Sequence, residues 1–108
     1  MLTETPLKPF NKLTPAEAER LAILAEECAE VIQAIGKIQR HGYESYYPDK
    51  SNRTALTNEL GHVMAAGRLM AAAGDIEMQG VLVSRTEKLC NISQYLHHNE
   101  VPEGLAEA

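Results

Sequence analysis

The chain has no apolar stretch near the ~20 residues that a bilayer-spanning helix needs, no surplus of positive charge, and only two cysteines in 108 residues. The first absence speaks against a membrane span. The N-terminus MLTETPLKPFNKLTP also lacks the basic-then-apolar layout of a signal peptide, so the cytoplasm is the expected location. A formal net charge of −5 does not supply the basic face by which proteins track a phosphate backbone, so nucleic acid is not an expected partner. A chain of this charge that handles phosphates needs metal ions to neutralise them. Cys28 and Cys90 form no disulfide framework and have no zinc-type Cys/His spacing around them; each falls at an apolar position of a helical pattern. Gly-rich phosphate loops, serine-nucleophile motifs, internal repeats and low-complexity tracts are missing as well.

What is present suits a folded domain: 44% hydrophobic and 23% charged residues. The length suits one domain over residues 1–108, with roughly the first 13 and last 10 residues peripheral and the tail NEVPEGLAEA frayed. So small a domain leaves much of its surface exposed unless it self-associates, and a homodimer or homotetramer is expected.

The periodicity is helical throughout. TPAE at 14–17 is a start signal, with Thr14 as cap, Pro15 at the first position and Glu17 completing a capping box. From there Leu21, Leu24, Cys28, Val31, Ile35 and Ile38 recur in steps of three and four, and Gly42 supplies a stop. GYESYYPDK, 42–50, reads as a connection, with Tyr43, Tyr46 and Tyr47 placed either to stack on a base or to cover helix ends. A second helix starts near Ser51 or Asn52, carries Leu56, Leu60, Val63, Gly67 and Met70, and ends near Gly74. Asp75 is the expected cap of a third helix, packed antiparallel on the second, with the stripe Met78, Leu82, Leu89, Ile92 and Leu96 running to about His97. The fold class is all-α: an antiparallel bundle of three principal helices per chain, completed by oligomerisation.

Beside each main stripe runs a flank with polar groups in it. Ala16, Arg20, Ile23, Glu27, Glu30, Ala34 and Lys37 form one on the first helix, with Glu26 leaning toward the polar face beside Glu19 and Gln33. Ala55, Glu59, His62, Ala66, Leu69 and Ala73 form the other. If the helices pack antiparallel, the flanks meet and bring three carboxylates and an imidazole into one cleft, where a divalent cation relieves the charge repulsion. Carboxylate oxygens favour Mg2+ or Mn2+ over Zn2+. Solvated surface acids show the same spacing, and the doubled geometry is what distinguishes the cation reading.

EECAE at 26–30 and ELGH at 59–62 resemble the EExxE and ExxD motifs of the MazG-like all-α nucleoside triphosphate pyrophosphohydrolases. The resemblance spans about residues 20 to 98 and includes LAEECAEVIQAIGK, NRTALTNELGHVMA and KLCNISQYLHH. It implies metal-dependent conversion of an NTP or dNTP to NMP and pyrophosphate. Glu27, Glu30 and Glu59 become ligands of Mg2+, with Mn2+ as the alternative ion, and Glu26 an additional ligand or water-orienting base, so that Glu26 and Glu27 are the implied catalytic pair. His62 departs from the motif aspartate. It either ligates and shifts preference toward Mn2+, stands back from three glutamates, or marks a member that binds nucleotide or a protein partner without turnover.

Arg85 interrupts the third stripe with Lys88 one turn on, and both could reach substrate phosphates or equally be a snorkelling arginine and a solvated lysine. Lys88, Asn91 and Tyr95 also resemble the closing helix of related dCTP pyrophosphatases, which makes Arg85, Lys88, Asn91 and Tyr95 the candidate substrate-binding set. His97 and His98, near the chain end, receive no role.

Overall fold

The computed structural model describes residues 10–108, and most of the peripheral N-terminal segment expected from the sequence lies outside them. The described residues are helical: α1, Pro15–His41; α2, Asn52–Ala72; and α3, Met78–Asn91; with 3₁₀ turns at Ile92–Tyr95 and Leu105–Glu107 and no strand among them. They divide near Met70 into two compact units, the first carrying α1 and most of α2, the second α3 and the tail. No helix among the described residues is long and apolar enough to cross a membrane.

The first unit begins as the sequence predicts. Thr14 Oγ1 accepts the Glu17 N–H at 3.1 Å while Glu17 Oε1 accepts the Thr14 N–H at 2.8 Å, closing the capping box around Pro15. Twenty-seven residues later Gly42 ends α1 at φ 85°, ψ 167°, a conformation open essentially to glycine alone, and its N–H returns to Ile38 O at 2.7 Å.

The connection is held by its own polar groups. Tyr46 Oη donates to Asp49 O at 2.7 Å, Arg53 stacks 4.5 Å above the Tyr43 ring, and Arg53 Nε donates to Glu44 Oε1 at 2.7 Å. Two of the three loop tyrosines thus have local partners. Ser51 Oγ accepts the Thr54 N–H at 3.1 Å and starts α2. Buried Asn52 then donates its amide to Gly42 O at 3.0 Å and, weakly, to Lys37 O at 3.5 Å, so the first residue of α2 caps the last turn of α1.

That joint makes α1 and α2 antiparallel and fixes their register. Each step back along α1 is met by an equal step forward along α2: Lys37 with Asn52, then Glu30 with Glu59, then Glu27 with His62. The buried residues of α1 and α2 are Asn52, the small flank residues Ala34 and Ala66, and Met70 of the α2 stripe. Leu21, Cys28 and Ile35 of the α1 stripe and Leu60 of the α2 stripe are exposed. The middle of each flank is covered, through Glu27, Glu30 and Ala34 on α1 and Glu59 and Ala66 on α2, while the larger apolar stripes are only partly covered.

In the second unit the third helix starts later than the sequence suggests. Gly74, at φ 87°, ends α2, but residues 75–77 bend before α3 begins, and Glu77, with an extended backbone and no side-chain cap bond, occupies the cap position expected for Asp75. The α-helical hydrogen bonding stops at Asn91 and tightens into the 3₁₀ turn, short of His97. Near the chain end, Thr86 Oγ1 is 3.3 Å from Ala106 O and 3.1 Å from Leu82 O, its one hydroxyl proton serving the last turn of the tail and its own helix in common.

Candidate metal centre

Glu27 and Glu30 are one turn apart on α1, as Glu59 and His62 are on α2, and the antiparallel register sets the two pairs against each other. One ligand atom from each of the four residues lies within 4.8 Å of the other three. Side-chain oxygens and ring nitrogens bind small divalent ions at about 2.0–2.2 Å. Two donors on opposite sides of one ion are therefore about 4–4.5 Å apart, and the 4.8 Å spread of the cluster lies within an ångström of that span.

The polar groups do not satisfy one another. His62 Nδ1 is 3.3 Å from Glu59 Oε2 and 3.4 Å from Glu27 Oε2. A ring nitrogen carries at most one hydrogen, so it serves at most one of these oxygens, and 3.3 Å is already long for such a bond. Glu27 Oε2 is shielded from solvent and has no hydrogen-bond partner, its 3.4 Å approach to the ring being an ion-pair distance without hydrogen-bond geometry. Anionic oxygens converging without enough donors are what a cation satisfies. Three carboxylates and an imidazole fit a divalent ion.

Glu27, Glu30 and Glu59 are half-buried, His62 is exposed, and Glu26 is exposed and outside the four-residue cluster. Arg85, Lys88 and Asn91 are exposed on α3 in the second unit, and Tyr95 is exposed in the 3₁₀ turn after it. Asn91 Nδ2 is engaged locally, donating to Glu87 O at 2.9 Å.

A cavity of about 270 Å³ opens from Glu30 and Glu59 along the helix pair, lined further by Gln33, Ala34, Lys37, Asn52 and Ala55. Ala34 and Ala55 leave it room. A separate, smaller recess of about 160 Å³ is lined by Lys37 and Asn52 together with Arg40 and Tyr47. Gln33 and Lys37 are thus neighbours of the carboxylates that the motif reading passed over. The available signal was the step of three and four from Glu27 through Glu30 and Ala34 to Lys37; Gln33, read with Glu26 on the polar face, gave none.

The comparison with protein-family models finds one described as the MazG nucleotide pyrophosphohydrolase domain, matching residues 16–96, which include all four cluster residues. No curated protein and no solved structure matches the chain. The family match covers most of the sequence, and the chain belongs to the MazG nucleotide pyrophosphohydrolase family.

Proposed function

From that membership, we propose that the chain is a divalent-metal-dependent hydrolase that converts an NTP or dNTP to NMP and pyrophosphate. The observation that carries this reading is the convergence of Glu27, Glu30, Glu59 and His62 at the two motif positions, with one carboxylate oxygen left without a partner. Mg2+ or Mn2+ bound there supplies positive charge for the triphosphate and for a water molecule.

Glu27, Glu30 and Glu59 hold the ion and are themselves held by two helices in fixed register. Glu26, adjacent and exposed, takes the proton of the attacking water on its carboxylate. The water oxygen bonds to one phosphorus of the α–β linkage, the bridging oxygen leaves with the other, and NMP and pyrophosphate are the products. The cavity beside Glu30 and Glu59 receives the substrate, with Lys37 offering an ammonium that has no ion-pair partner among the described residues. Arg85, Lys88, Asn91 and Tyr95 are the further substrate contacts in this reading. The domain works as a homodimer or homotetramer in the cytoplasm, without nucleic acid or membrane as partner.

Replacement of a carboxylate by His62 favours one second reading, a member that binds nucleotide without hydrolysing it. Pyrophosphate release, measured across the common NTPs and dNTPs with Mg2+ and with Mn2+, decides. Turnover that disappears in Glu59→Gln supports the enzyme. Nucleotide binding with no turnover under either ion supports the second reading, and absence of both metal and nucleotide binding sinks both.

A further inference from the structure

His62 changes the chemistry of the cluster. Its side chain is 55% exposed and could extend into water, yet its Nδ1 faces Glu27 Oε2 and Glu59 Oε2 at 3.4 and 3.3 Å. The ring nitrogen lies among the carboxylate oxygens, inside the same 4.8 Å cluster.

An imidazole in place of a fourth carboxylate has two effects. It removes one negative charge, which weakens the hold on any divalent ion. It also adds a nitrogen donor, which returns affinity to ions that bond well to nitrogen and returns little to Mg2+, a hard ion that takes oxygen ligands and keeps its waters. Three oxygens and one nitrogen therefore rank Mn2+ and the later first-row ions above Mg2+. A soft site is not the outcome either, because no thiolate is in the cluster: Cys28 is on α1 but outside the four residues.

We infer that His62 is a direct nitrogen ligand, and that the site selects a first-row transition ion, represented by Mn2+, over Mg2+. The inference rests on the reading of Glu27, Glu30 and Glu59 as metal ligands and specifies the ion those residues take. His62 as a hydrogen-bond donor to Glu59 is the competing arrangement, in which the ring positions a carboxylate and never touches the metal.

The two arrangements differ in a signal independent of activity. Mn2+ is titrated into the full-length chain and followed by electron paramagnetic resonance, with pulsed measurements reporting nitrogen coupled to the bound ion. The expected spectrum shows directly coordinated ¹⁴N, which changes when the histidines carry ¹⁵N and disappears in His62→Gln with helicity retained. His62→Asp, which restores an oxygen ligand, lowers the preference for Mn2+ over Mg2+ by about tenfold or more, the scale on which even outer partners of metal ligands alter affinity. Mn2+ bound through Glu59 but without coupled nitrogen overturns the inference and leaves the carboxylate reading standing. Failure of the wild-type chain to retain Mn2+ overturns both.

Discussion

At the scale of single residues, the cluster is a problem of unmatched acceptors. Three carboxylates and one ring nitrogen contain fewer donors than acceptors, and Glu27 Oε2 is the atom left over. An ion that fills the cluster binds the folded chain and not the unfolded one, so it stabilises the fold by mass action. At a concentration a hundredfold above Kd this amounts to about 2.7 kcal/mol, which for a domain of this size corresponds to a rise in Tm of roughly 10 °C or more. Thermal unfolding with and without Mn2+ should show that rise in the wild type and none in Glu59→Gln. An equal rise in the variant would place the ion elsewhere. Lys37 makes a separate expectation, because it lines the cavity beside Glu30 without ligating. Lys37→Met should leave metal affinity unchanged and raise KM for the nucleotide by about five- to tenfold, roughly the 1–1.4 kcal/mol of one partly solvated charge contact. Steady-state kinetics and metal titration on the same sample test it, and an unchanged KM would show that the substrate does not pass Lys37.

Between residue and molecule, the α1–α2 joint controls the site from a distance. Glu30 meets Glu59 only because Asn52 anchors α2 on the carbonyls of Gly42 and Lys37. Gly42 holds φ 85° and ψ 167°, and a Cβ there would meet nothing within 4 Å, so a substitution costs backbone strain without a steric clash. Gly42→Ala should destabilise the fold by about 1–3 kcal/mol, measured by denaturant unfolding, and should weaken metal binding by displacing the joint. A loss below about 0.5 kcal/mol would mean that the turn relaxes freely.

The same joint shows what the sequence could and could not convey. The capping box, the Gly42 stop and the Ser51–Asn52 start are local patterns, and local patterns are legible because their causes lie within a few residues. Asn52 reaching back to Lys37 is not legible, since nothing in the spacing says which carbonyl a buried amide will find. Periodicity makes the leucine-rich stripes the larger apolar faces, whereas the buried hydrophobic residues of the first unit include Ala34 and Ala66 from the flanks beside them. A helix pattern identifies apolar faces and does not say which of them meets a neighbour in the same chain. The late start of α3 is of the same kind: Gly74 stops α2 as read, but the entry into α3 depends on the bend through residues 75–77.

For the whole molecule, the decisive quantity is apolar surface without cover. Only Ala34, Ala66 and Met70 are buried hydrophobic residues among those described, while Ile32 is 70% and Met64 69% exposed. Full burial of such a side chain contributes about 1.5–3 kcal/mol. Large apolar side chains this exposed, if contiguous, are uncommon on proteins that stay monomeric. Leu60 adds to it on α2, and Leu21 and Ile35 on α1. Association of copies would cover these faces without disturbing the flanks that carry Glu27, Glu30, Glu59 and His62. Light scattering on the wild type should therefore give a mass two or four times the 11.9 kDa of one chain, with Tm rising as protein concentration rises. Ile32→Lys combined with Met64→Lys should return the mass toward one chain and remove the concentration dependence, because two charges replace apolar contact area that the interface needs. A wild-type mass of 11.9 kDa, with a Tm indifferent to concentration, would show that these side chains remain in water and that the metal centre is complete within a single chain.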